Sequence, residues 1–451
     1  MSTEPDAPTP SPVETAPTVP VTLSRASNRI AGLDLARFVA LIGMMAAHVW
    51  MLDPADGSST LILGLVQGRA AALFAVLAGV GIVLSSKRYL GRGRGESARC
   101  GHRGHAAAAR ALFVRGAAVA VVGLTLGLLS TQVAIILVSY GVLFCVMIPL
   151  LRLGSVTLAV IAVLGAIVSP LLSFWARSTW SLIGPYGGNP SWIGLTDPMV
   201  AVDVLLTGVY PVATWFVYVV AGMAVGRLVL DTRDADSSRG SPDIRALAGR
   251  LSIAGAGMAV VAWALSALAM GPLGGIDAVI SAQGELPSSE TREQMAVIMS
   301  ASAYGVVPLE SPWLLASSVA HSGATLDLFH TGGSALVVIG IGLLIGTRLR
   351  HRGVAMLAPV LAAGAAPLTI YSLHVVVQSL TVNAIFADGV ADVGERWMVS
   401  SLPIWLLHIA GALFVGLLLW ALQRRGPLES LISWLARLAG GPRRSADHGS
   451  E

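Results

Sequence analysis

The sequence predicts an all-α polytopic membrane protein of about ten transmembrane helices with cytoplasmic N- and C-termini, and three observations carry that prediction. Of 451 residues, 55% are hydrophobic and only 12% charged, and the mean hydropathy is +0.74. Apolar runs of about twenty residues recur, each long enough to cross a hydrocarbon core about 30 Å thick. Arginines gather in alternate connections between these runs, as expected of loops retained in the cytoplasm. The net charge of +4 and the pI near 9.4 then reflect orientation in a membrane, which disfavours a nucleic-acid partner. Only Cys100 and Cys145 are present, so no disulfide framework or thiolate metal site is implied.

Taken in order, residues 1–28 are rich in Pro, Thr, Ser and Ala and read as a disordered cytoplasmic tail. They lack the basic start and apolar run of a cleaved signal peptide. A membrane domain is expected over residues 29–425, with an amphipathic helix and polar tail over 426–451. The first two spans cover about Ile30 to Met51 and Leu61 to Ser85. Lys87 to Arg110 is densely basic and Gly-rich, hence a cytoplasmic loop. Spans three to five cover about Ala111 to Leu129, Val133 to Leu151 and Val156 to Phe174. Residues 175–208, with Trp180, Tyr186 and Trp192, suit a loop resting on the membrane surface. The sixth span covers about Val209 to Leu230, and the seventh follows a loop bearing Arg233, Arg239, Arg245 and Arg250 and ends near Met270.

Residues 271–329 carry little positive charge and suit an extracytoplasmic loop. The eighth span begins near His330 and ends at Arg348, and a short apolar piece, Met356 to Ala363, precedes the ninth, Pro367 to Phe386. The tenth covers Met398 to Leu422, and Leu428 to Leu438 has the pattern of an amphipathic helix on the inner leaflet. Gly79 with Val83 and Gly222 with Gly226 suit close helix packing.

Ionisable groups inside membrane helices mark function by default. Steps of three and four residues put Asp34, Arg37 and His48 on one face of the first helix, a polar stripe of roughly 20 Å that should line an internal cavity. Arg69 lies too deep in the second helix for easy snorkelling. One reading pairs Arg37 or Arg69 with Asp34 as a helix lock; the other gives the arginines to an anion, whose oxygens a guanidinium matches. His48, with an ordinary pKa of about 6.5, suits a general base, its alternative role being a hydrogen bond to a neighbouring helix. His330 and Asp327 fall at the same depth as His48 and are candidate partners, whereas His374 is placed deeper toward the cytoplasm. Tyr210 and Trp215 begin the sixth helix, where an aromatic belt also explains Trp215. His408 reads as a packed histidine, and His102, His105 and His351 as solvated loop residues. No Walker A, GxSxG or HExxH sequence occurs.

The first-helix pattern of Arg29, Leu33, Asp34, Arg37 and His48 resembles the opening motif of membrane acyltransferases that O-acylate cell-surface glycans. It is similar also to the first catalytic-domain helix of heparan-alpha-glucosaminide N-acetyltransferase and its bacterial relatives. The stretches Gly68 to Gly79 and Pro367 to His374 resemble the second-helix and late-helix motifs of those relatives. The lysosomal enzyme has an asparagine in place of His48 and uses a histidine just past that helix, whereas here the next histidine is His102.

The resemblance implies an acyltransferase moving an acyl group, acetyl by expectation, from cytoplasmic acyl-CoA to a hydroxyl or amine of an extracytoplasmic envelope glycan or glycolipid. Acetyl-CoA is then the co-substrate with no metal, the location is the inner (plasma) membrane, and a homodimer is compatible. His48, His330 and Asp327 are the catalytic candidates. Arg29, Asp34, Arg37, Arg69, Tyr210, Trp215, Tyr371 and His374 are the candidates for binding acyl-CoA or acceptor. The alternative is a transporter of a small solute or lipid that uses the intramembrane Arg, Asp and His.

Overall fold

Apolar runs with no water to satisfy their backbone must close their hydrogen bonds internally, and helices do so residue by residue. The computed structural model describes residues 30–50, 66–90, 101–129, 131, 133–235, 243–300, 303–349, 351–385 and 400–441. Among them every regular element is helical. The long helices are α1 (Ala31–Val49), α2 (Arg69–Leu90), α3 (Gly101–Leu126), α5 (Ser155–Thr179), α7 (Val212–Ala235), α8 (Ile244–Met270), α11 (Thr325–Arg348), α14 (Pro367–Ile385) and α15 (Leu402–Ala421). These nine are long and apolar enough to cross a membrane among the described residues. Shorter helices are α4 (Leu137–Val146), α6 (Pro198–Val202), α9 (Gly275–Ala282), α10 (Ser289–Ser300), α12 (His351–Met356), α13 (Ala358–Gly364) and α16 (Pro427–Gly440). The expected tail over 1–28, Arg29 and most of the connection ahead of α2 lie outside the described residues.

α1, α2 and α7 form the centre, while α5, α8 and α15 turn apolar side chains such as Trp175, Trp263 and Phe414 outward. Small residues set the central spacing. A Cβ at Gly79 would lie 2.8 Å from Met223 N, and one at Gly222 would lie 2.7 Å from the Val76 carbonyl carbon, so α2 and α7 touch backbone to backbone. A Cβ at Gly32 would lie 2.7 Å from Leu343 Cα, which draws α1 equally close to α11.

Three elements differ from their sequence-based expectation. The fourth span is a ten-residue α4 followed by a 3-10 turn, Ile148–Arg152. Pro149 removes a donor there, and at the other end Asn189 accepts from Ile135 N–H at 2.7 Å and donates to the Val133 carbonyl at 2.7 Å, satisfying backbone that is not helical. α3 begins at Gly101 inside the expected loop; an alanine run favours helix there, and Arg110 Nε donates to the Ala439 carbonyl of α16 at 3.0 Å. α11 begins at Thr325, and its first turn contains Asp327, which accepts the Gly323 N–H at 3.0 Å and suits the helix dipole.

The connection between α8 and α11 carries a small core of Met270, Val279, Ile280 and Met295. Asp277 and Arg292 brace it with a two-bond pair at 2.6 and 2.8 Å. α16 has the two-faced character of an interfacial helix: Leu431, Trp434 and Leu438 are exposed, and Ile432, Ala436 and Gly440 are buried.

Candidate active site

The helical period puts the charged residues of α1 on one face, and its two ends serve unlike groups. Near its start, Arg37 Nη1 donates to Asp34 Oδ1 at 2.6 Å, a pair within one helix. Arg115 of α3 interacts electrostatically with Arg37, with Arg88 at the end of α2, and with Glu429 of α16. This end of the bundle therefore gathers three guanidinium groups against two carboxylates. Arg115 was not singled out from sequence, although an arginine within the apolar run of the third span was a signal for it.

At the other end His48 meets His374 of α14, with Nδ1 and Nε2 3.1 Å apart and the rings near parallel. His374 in turn lies edge-on to His408 of α15 at 4.8 Å between centroids. His408 Nδ1 is 2.9 Å from the Ile404 carbonyl. A carbonyl only accepts, so Nδ1 carries the proton and Nε2 carries the lone pair. His374 Nδ1 and His408 Nε2 are buried without a hydrogen-bond partner among the described residues. His374 is thus a member of the His48 group, and His408, read from sequence as a packing residue, completes a row of three imidazoles. Tyr371 is buried one turn before His374.

The expected partners His330 and Asp327 join a second group. Arg69 Nη2 lies 2.8 Å from His330 Nε2, and a guanidinium only donates, so that nitrogen is the acceptor. Asp327 is 2% exposed and interacts electrostatically with Arg69. Thr331 Oγ1 donates to the Asp327 carbonyl at 2.7 Å and also bonds the Tyr218 hydroxyl. No hydrogen bond joins His48 to His330 or Asp327 among the described residues.

Tyr218 stacks edge-on with Trp215 at 5.3 Å, and Trp215 with Tyr210 at 4.9 Å. These rings lead to His321, 5.8 Å from Trp215 and 5.5 Å from Tyr210. His321 interacts electrostatically with His48, and its ring contacts run through Trp215 to Tyr218 of the second group. Sequence reasoning missed it, because it sits in a connection with no helical period to place it.

Among the described residues no group of three His, Cys, Asp or Glu side chains is arranged to hold a metal ion. Residues 29–259 match the family described as Heparan-alpha-glucosaminide N-acetyltransferase, catalytic, which is just over half of the 451-residue chain. The match includes His48, Arg37, Arg69, Arg115, Tyr210 and Trp215 and ends before His321, Asp327, His330 and His374. No curated protein and no solved structure matches the chain.

Proposed function

The chain belongs to the heparan-alpha-glucosaminide N-acetyltransferase catalytic family, and we propose that it carries an acetyl group across the membrane from acetyl-CoA to an envelope glycan or glycolipid. The observation behind this reading is the pair of unlike polar groups at opposite ends of α1. Arg37, Arg88 and Arg115 suit the phosphates of CoA, since guanidinium forks match phosphate oxygens. The eleven residues from Arg37 to His48 rise about 16 Å, a length that an extended pantetheine arm covers. The Arg37 end faces the cytoplasm in this reading, because Arg88 and Arg348 lie in the last turns of α2 and α11, helix ends that meet that end of α1.

At the His48 end an imidazole nitrogen takes the proton of the acceptor hydroxyl or amine as its oxygen or nitrogen attacks the thioester carbonyl. The C–S bond then breaks, and the imidazolium returns a proton to the departing CoA thiolate. His374 holds the second nitrogen of the His48 pair, fixing which tautomer meets the acceptor. Arg69, steadied by Asp327, stands ready to offset charge on the carbonyl oxygen.

The test is labelled acetyl-CoA with the protein in detergent, together with envelope membranes or glucosamine as acceptor. His48→Ala and His374→Ala are each expected to slow transfer by about 10²- to 10⁴-fold with acetyl-CoA binding retained. If the wild-type protein neither binds nor consumes acetyl-CoA, the acyltransferase reading is wrong, and solute flux without acetyl-CoA consumption would point to transport instead.

A further inference from the structure

Four residues with left-handed backbone meet at the His48 end: Gly68 at φ 69°, Gly305 at 95°, His321 at 61° and Gly323 at 63°. A Cβ at Gly68 would stand 3.1 Å from His321 N, and one at Gly323 would stand 3.0 Å from the Gly305 carbonyl oxygen. An L side chain crowds its own backbone in this region, so glycine is the expected residue. Three of the four positions obey that rule, and His321 does not.

The backbone at His321 is held from outside. Its carbonyl accepts the Gly305 N–H at 2.6 Å, and the Ala320 carbonyl accepts the Ala303 N–H at 2.8 Å. The ring stacks on Trp215 at 26° between planes and meets Tyr210 edge-on. Its Nδ1 is buried with no hydrogen-bond partner among the described residues. Strain kept together with an unpartnered buried polar atom is a combination that stability alone would remove, and it marks functional positions. Asparagine would tolerate the turn, and glycine would relax it.

We propose that His321 is a contact residue for the acceptor: its Nδ1 hydrogen-bonds the acceptor group that receives the acetyl and turns it toward His48, with Tyr210 and Trp215 as the walls of that subsite. The inference rests on the acyltransferase reading above and adds to it a residue beyond the family match. A neutral acceptor hydroxyl or amine suits a neutral imidazole, since both can donate and accept.

The experiment compares the full-length wild type with His321→Asn and His321→Gly in detergent. It measures acetyl-CoA binding, thermal melting, and release of free CoA thiol in the presence of envelope membranes. Both variants are expected to melt within about 3 °C of wild type and to bind acetyl-CoA unchanged, while acceptor-dependent release falls about tenfold or more. Added imidazole should restore part of the rate in His321→Gly. Wild-type release by either variant overturns the proposal and leaves the acyltransferase reading standing. A shared loss of melting temperature and acetyl-CoA binding also overturns it, because the ring is then a packing element. If the wild type itself shows no acetyl-CoA binding or turnover, the acyltransferase reading fails and this inference fails with it.

Discussion

His321 shows what burial does to one titratable group outside the spanning helices. Loss of water pushes its imidazole down to about 4 from the ordinary 6.5. Between those values the unfolded chain binds a proton that the folded chain does not. Stability from this group is therefore complete above about pH 6.5 and declines as the pH falls toward 4. On going from pH 7 to pH 5 the melting midpoint in detergent should move less favourably for the wild type than for His321→Asn, the difference being the contribution of this imidazole. Asp277 does not interfere, because its hydrogen bonds and ion pair with Arg292 hold its carboxyl below the usual range, under this window. An unchanged pH dependence in His321→Asn would show that His321 is not a source of it.

α14 illustrates how one element is positioned by another far away in sequence. It carries Tyr371 and His374, and its first turn leaves N–H groups that no intrahelical carbonyl can accept. Glu429 of α16 takes them: Oε1 accepts from Leu368 N at 2.7 Å and Thr369 N at 3.0 Å, and the Thr369 hydroxyl donates to Oε2 at 2.5 Å. A cap of this type contributes about 1 kcal/mol. Glu429→Ala is expected to lower the melting midpoint by a few degrees and Glu429→Gln by less, since the amide oxygen still accepts. Equal melting of all three proteins would show that the cap contributes nothing. α16 itself was legible, because Leu431, Trp434 and Leu438 recur at helical spacing. Its partner on α14 was not, since sixty residues separate them and neither carries a pairing signal.

Across the whole molecule, the contacts between helix ends, with the short α4 counting as one pass, set which ends share a side. The Arg37 end of α1 falls with the ends of α2 and α11 and the starts of α3 and α14, and the His48 end falls with the connection between α8 and α11. Leu286 in that connection is 87% exposed, and Arg424 past α15 is also exposed. With Cys100 and Cys145 replaced, Leu286→Cys is expected to react with an impermeant thiol reagent from outside intact cells. Arg424→Cys should react only after the membrane is opened. The reverse pattern would invert the orientation and with it the assignment of donor and acceptor ends.

The sequence alone determined the all-helical membrane class, most of the spans, and the polar face of α1, because hydrophobic length and the 3.6-residue period are local properties. It also carried the family resemblance, whose residues lie mostly in α1 and α2. It located His48, Arg37 and Arg69 and offered the Arg37–Asp34 pair that is observed, but it placed His374 lower than His48, whose neighbour it is. At the other end of α1, α13 packs against it so closely that a Cβ at Gly364 would stand 3.2 Å from Phe38 N. The histidine row, the Arg115 group and the left-handed His321 all join segments hundreds of residues apart or sit in irregular backbone. Only tertiary packing decides such contacts, because no periodicity within a segment records which neighbour its face will meet.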